Sequence, residues 1–161
     1  MAAYVGIDVA KATLVLCLQP EGRTWTRPNT PAGQAQVVAE LRAVQPERIA
    51  LEATGGYERA IWQQLHAAGL VVVRLQPRRV KALARALGRQ AKTDPLDAAL
   101  LAEAARILVV PVTLVPDAAT EALRALVDLR RQLVSQRDDN RRRLKQNPAA
   151  VAQQVLGRVN A

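Results

Sequence analysis

The chain has 161 residues, 50% of them hydrophobic, with 23 Lys plus Arg against 14 Asp plus Glu and a formal net charge of +9. That suffices for one main domain with a real apolar core and an appendage, and its positive field attracts polyanions, nucleic acid first among them. The single cysteine, Cys17, excludes a disulfide framework and a clustered thiolate metal site, Asp8 and Lys11 break any signal-peptide core, and no stretch nears the roughly 20 apolar residues of a membrane span, so a cytoplasmic protein is expected.

Short β-prone runs at Tyr4 to Val9, Thr13 to Leu18 and Arg23 to Arg27, separated by Ala10-Lys11 and Pro20-Glu21-Gly22, predict an antiparallel meander. Helical spacing of Ala35, Val38 and Leu41 predicts a helix over Pro31 to Val44, and the apolar run Arg48 to Glu52 a strand ending in an acid. A helix over Glu58 to Ala68 closed by Gly69, a buried strand over Val71 to Leu75, and a helix over Arg78 to Leu87 entered through Pro77 follow. Pro95 to Leu108 makes another helix. Ile107 to Pro116, with Pro111 and Pro116, reads as a buried strand or an extended connection. Ala118 to about Lys145 is a long helix whose Ala122, Leu126, Leu129 and Leu133 form a seam like that of a coiled coil, continued by the polar Gln136 and Asn140.

A meander followed by a helix and a fourth strand places that strand parallel to the first through a right-handed crossover. Asp8 and Glu52, each ending an apolar run, would then be neighbours at the edge where open α/β sheets form their sites. Asp94 and Asp97, spaced i, i+3 at the start of a helix, share a face that can reach the same edge. Clustered carboxylates in a basic protein suit divalent cations and phosphodiester chemistry. Each acid also has a plain structural explanation: Asp94 as an N-cap before Pro95, Asp97 as a first-turn acid favoured by the helix dipole, Asp8 and Glu52 as strand-end turn residues. From chemistry alone both readings stay open.

The strings GIDVAK (Gly6 to Lys11), LEATGGYE (Leu51 to Glu58) and KTDPLDA (Lys92 to Ala98), in that order, resemble the DEDD insertion-sequence transposases of the IS-one-ten family, which includes Piv-type recombinases. The resemblance spans about Tyr4 to Lys145. It implies an α/β, ribonuclease H-like (RuvC-like) mixed sheet flanked by helices and followed by a long, coiled-coil-like helical segment. It further implies catalytic and metal-binding roles for Asp8, Glu52, Asp94 and Asp97, holding two Mg²⁺ or Mn²⁺ ions. Expected domains are a catalytic domain at 1–112, the long helix at 113–147 and a tail at 148–161 that ends before the family's serine-bearing domain. Ser135 lies mid-helix without a nearby base and reads as an ordinary helix residue.

From Arg74 to Lys92 there are seven basic residues (Arg74, Arg78, Arg79, Lys81, Arg85, Arg89 and Lys92) and no acid, a face suited to backbone phosphates. Lys11 joins them at the first strand's end. Arg141, Arg142, Arg143 and Lys145 form a second cluster able to grip DNA or, as the resemblance implies, a structured guide RNA; a basic helix end also favours the dipole. Gly55-Gly56-Tyr57 reads either as a phosphate approach with Tyr57 near the metals or as a strand-to-helix turn with a packed ring. His66 lacks a companion ligand, and Trp25 and Trp62 read as core or half-buried anchors.

The expected function is metal-dependent strand cleavage and transfer in transposition, with a homodimer or higher oligomer through the long helix. The rivals are an inactive nucleic-acid-binding or dimerisation fragment, and an ATPase, which needs Gly-rich phosphate loops missing here.

Overall fold

Alternation of apolar and small residues in the first 28 positions builds a meander: β1 (Tyr4–Val9), β2 (Thr13–Gln19) and β3 (Arg23–Pro28), paired antiparallel with Asp8 opposite Val15. The first turn is closed by the Ala10 N–H donating to Thr13 O at 2.9 Å. The computed structural model describes residues 2–53, 55–88 and 93–146, with Asp94 and Ala118 described by backbone alone.

Helix α1 (Pro31–Val44) starts where Thr30 Oγ1 accepts from the Gly33 N–H, with Pro31 pre-set for the first turn, and stops at Gln45, whose left-handed backbone turns its N–H onto Leu41 O. It returns the chain to β4 (Arg48–Glu52), which lies parallel to β1 with Gly6 opposite Ala50 and Ile7 opposite Leu51. Helix α2 (Arg59–Ala67) then leads to β5 (Val72–Leu75), parallel to β4 with Glu52 opposite Leu75. The five-stranded sheet has the order β3-β2-β1-β4-β5. This is the expected mixed sheet with flanking helices.

Strand alternation sorts the core onto two faces. Val5, Ile7, Leu14, Leu16, Ile49, Leu51 and Val72 meet Val37 and Leu41 of α1 and Ile61, Trp62 and Leu65 of α2. On the other face, Ala50, Val73 and Leu75 meet α3 (Pro77–Ala86) through Val80 and Leu83, and α4 (Asp94–Ile107) through Leu100, Leu101, Ala104 and Ala105.

Helix α4 lies directly on β1 because Gly6 has no side chain: a Cβ there would stand 2.1 Å from Ala98 O and 2.2 Å from Ala102 N. At the other end of α4, Arg48 Nη1 donates to Leu108 O at 2.9 Å and to Ala105 O at 3.4 Å. Arg48 opens β4, so α4 runs antiparallel to β1 and β4, and its first turn lies at their C-terminal ends.

Residues 108–117 form the extended connection rather than a buried strand: Val109 is 99% exposed, and Pro111 and Pro116 cannot donate to a ladder. Thr113 ties the connection to the outer edge of β5, its N–H donating to Val72 O at 3.0 Å while its Oγ1 accepts from the Arg74 N–H at 2.9 Å. The chain divides into two units, Met1–Val115 and Pro116–Ala161. The second holds α5 (Ala118–Gln146), 29 residues long, capped by Asp117, whose carboxylate accepts from the Thr120 N–H at 2.7 Å. Hydrogen bonding from the Thr120 side chain, and then from its N–H, holds the Asp117 carboxyl below the usual carboxylate range. Leu123, Leu126, Leu129 and Leu133 are exposed along α5. Among the described residues no helix is long and apolar enough to cross a membrane.

Candidate active site

Asp8 follows Ile7 in β1 and Glu52 follows Leu51 in β4, and Ile7 pairs with Leu51, so the two acids stand side by side at the ends of adjacent parallel strands. Adjacent strands lie about 4.8 Å apart. Ile7 and Leu51 face α1 and α2, and alternation therefore turns Asp8 and Glu52 to the face that carries α3 and α4. Both are half-buried, and both have interaction partners within the protein.

The antiparallel course of α4 brings its first turn to the same end of the sheet. The cap is Thr93, with extended backbone at φ −144 and ψ 149, and its carbonyl takes the first helical bond from the Asp97 N–H at 2.9 Å. Asp94 is therefore not the N-cap; it and Pro95 are already helical, because the extended residue before them is the one that ends the non-helical backbone. Asp94 and Asp97 both occupy the first turn, one helical step apart on one face. Asp97 is half-buried and engaged; the side chain of Asp94 lies outside the described residues. Among the described residues no group of three His, Cys, Asp or Glu side chains stands ready to hold a metal ion. The backbone thus brings Asp8 and Glu52 together and carries the Asp94–Asp97 turn to their edge, while the described carboxylates are not drawn into a ligand set.

As donors the acids fit a divalent cation: all offer hard carboxylate oxygens, two from adjacent strand ends and two from a single helical turn. His66 is exposed in the last turn of α2. Cys17 is buried and free on β2.

The basic residues divide. Lys11 is exposed in the turn after β1, at the acids' edge. Helix α3 begins there too, since Leu75 pairs with Glu52 and Leu75 O accepts from the Ala53 N–H at 2.9 Å. Its Val80 and Leu83 are buried, and Arg78, Lys81 and Arg85 fall on the opposite face at i, i+3, i+7 spacing, with Arg79 also exposed. Arg89 and Lys92 lie outside the described residues. Arg141, Arg142, Arg143 and Lys145 are exposed on α5.

Arg74 does not belong to that positive face. Alternation in β5 places it with Val72, toward α2, where its guanidinium lies 4.9 Å over the Trp62 ring and 3.0 Å from Glu58 Oε1. Glu58 is fully buried. In the sequence it is only the first residue of the helix expected over Glu58 to Ala68. The signal for it is Arg74 itself, a lone charge in Val-Val-Arg-Leu that needs a buried partner.

Between Glu52 and Glu58 the chain turns through Gly55 at φ +80 and Gly56 at φ +110, a path that residues with a Cβ rarely take. Tyr57 is 50% exposed, so its ring is not packed away. Its carbonyl accepts from Asn29 Nδ2 at 3.4 Å, and the same amide donates to Ala10 O at 2.8 Å. Asn29 Oδ1 accepts from Gln34 Nε2 and Gln34 Oε1 from Gln64 Nε2, each at 2.7 Å. This amide chain joins the turn after Asp8 to the turn after Glu52.

A family model described as a transposase, of the DEDD type named for IS-one-ten elements, matches residues 5–147. Among solved structures, RuvC of Thermus thermophilus in complex with a Holliday junction substrate is similar at 18% identity and a TM-score of 0.46, covering 63% of this chain and 90% of that one. A second structure of RuvC from Thermus thermophilus gives 20% identity and a TM-score of 0.45, covering 62% and 90%. No curated protein matches the chain.

Proposed function

The chain belongs to the DEDD transposase family of the IS-one-ten type, and from that premise we propose that its sheet unit is the catalytic domain of a DNA transposase, cleaving and transferring strands in the cytoplasm with divalent metal. One observation supports this most: Asp8 and Glu52 end paired parallel strands, on one face, at the end of the sheet where the first turn of α4 carries Asp94 and Asp97. Separate strand-end and capping roles for these acids leave that convergence unexplained.

Asp8, Glu52, Asp94 and Asp97 would hold two Mg²⁺ or Mn²⁺ ions. When bound, such a pair supplies Lewis-acid charge to an in-line displacement at phosphorus. The protein's own share is to bind and orient the strand. Lys11, Arg78, Arg79, Lys81 and Arg85, with Arg89 and Lys92, would grip backbone phosphates beside the acids, and Tyr57 would lie against the strand. Arg141, Arg142, Arg143 and Lys145 would hold further backbone, of DNA or of a structured RNA. The exposed leucines of α5 support association of two or more copies through that helix.

Incubation with supercoiled plasmid and Mg²⁺ tests the reading, with Asp8→Asn as control. Nicking by the wild type that Asp8→Asn abolishes is the expected result. Binding without cleavage would favour the rival, a nucleic-acid-binding fragment, and nicking that survives Asp8→Asn would remove Asp8 from the mechanism.

A further inference from the structure

Gln34 and Glu58 are the buried polar or charged residues among the described core, and both lead to one turn, Gly55–Tyr57. Gln34 reaches it through Asn29 and the Tyr57 carbonyl; Glu58 reaches it directly, its Oε2 accepting from the Gly56 N–H at 2.9 Å. We propose that Glu58 is a positioning residue: clamped by Arg74, it holds the turn after Glu52 in one conformation and so sets where the Glu52 carboxylate stands for metal. This rests on the metal-dependent reading above and extends it to a residue outside the four acids.

The turn needs such a clamp. Two consecutive glycines at positive φ have the widest conformational freedom of any dipeptide, and their order must come from contacts. Glu58 is the N-cap residue of α2, yet its side chain makes no capping bond to that helix. It points back to Gly56 instead. Arg74, 3.0 Å away, supplies the countercharge, and is itself fixed from three directions: the strand, the Trp62 ring, and Thr113, which takes its backbone N–H. The pair joins Arg74 Nη2 to Glu58 Oε1 at 3.0 Å, and neither Glu58 Oε1 nor Arg74 Nε has a well-aligned hydrogen bond among the described residues. A buried pair of that kind adds little stability over apolar residues of the same size. Its use is directional, in the way that residues behind metal ligands orient them.

Mn²⁺ titrated into the full chain and followed by electron paramagnetic resonance, with the Gly56 amide followed by hydrogen exchange, tests this. The proteins are wild type, Asp8→Asn, Glu58→Gln, and the double variant Glu58→Leu with Arg74→Met. The double variant is expected to stay folded while its Gly56 amide exchanges at least about 10-fold faster and Mn²⁺ affinity falls about 10-fold, as for lost support behind a metal ligand. Glu58→Gln, which keeps an acceptor for Gly56, should weaken Mn²⁺ less. Wild-type affinity or wild-type Gly56 exchange in a folded double variant overturns the positioning role, provided Asp8→Asn loses Mn²⁺. Mn²⁺ binding that is absent from the wild type, or indifferent to Asp8→Asn, overturns the metal reading and this role with it. Loss of the fold in both Glu58 variants also overturns it, because the pair would then be holding the unit together rather than one turn.

Discussion

Replacing Gly6 by alanine should move the helix that carries two of the four acids. An added Cβ would meet Ala98 O at 2.1 Å, Ala102 N at 2.2 Å and Leu101 C at 2.8 Å, all of them backbone atoms that no rotamer change can withdraw. For both of the first two contacts to reach an ordinary 3.4 Å, α4 must retreat from β1 by at least about 1.3 Å, and the sheet face under the fully buried Ala98, Leu101 and Ala102 opens with it. Overpacking of this kind typically costs about 1–3 kcal/mol. For a unit of this size that lowers Tm by roughly 4–12 °C in thermal unfolding followed by circular dichroism. Activity should suffer more than stability, since a displacement of about 1 Å at reacting groups costs on the order of 100-fold in rate. At a temperature where Gly6→Ala is still folded, plasmid nicking should therefore fall by about that factor. A variant with unchanged Tm and nicking within about twofold of wild type would refute the packing argument and, with it, the claim that close approach of α4 places Asp94 and Asp97.

Trp62→Ala, removing a ring 1% exposed that also carries Arg74 and donates to Thr113 O at 3.3 Å, should cost about 3–5 kcal/mol by urea unfolding; a loss below about 1 kcal/mol would mean the ring is not a core anchor. Alanine at Arg78, Lys81 and Arg85 together should weaken DNA binding to all sequences alike and reduce the slope of log affinity against log salt by up to about 3; an unchanged slope would remove α3 from the interface. Because its native carboxyl is held below the unfolded value, Asp117 stabilises the start of α5 above that value, and the contribution is lost as pH falls through the lowered native pKa. The Thr120 amide resonance should report that acid transition and lose it in Asp117→Asn; a transition at or above the ordinary carboxylate range of about 3.9 would contradict the cap.

The sheet was largely legible in advance because periodicity is local. The meander, the Pro31–Val44 helix and the Arg48–Glu52 strand follow from alternation, a Thr-Pro start and a crossover of a single allowed hand, and those elements are what put Asp8 beside Glu52. What stayed hidden depends on contacts distant in the chain. Gly6 reads as a small residue in a strand until α4 crosses it. The Asp94 cap assignment failed by one residue, since Thr93 and Asp94 are both common caps, Asp the more so, and only backbone dihedrals separate them. Arg74 was read with its basic neighbours because a charge run looks uniform in sequence, whereas strand alternation turns it inward to Glu58. The Asn29–Gln34–Gln64 chain joins a loop residue to two helices, and no local pattern announces it.

Crystals soaked in Mn²⁺ and measured at the manganese absorption edge bear most directly on whether these carboxylates are a metal site. The account predicts anomalous peaks between the strand ends of β1 and β4 and the first turn of α4, within about 2.2 Å of oxygens from Asp8, Glu52 and the Asp94–Asp97 turn, and gone in Asp8→Asn. No peak at that edge at saturating Mn²⁺, or a peak there that survives Asp8→Asn, would contradict it.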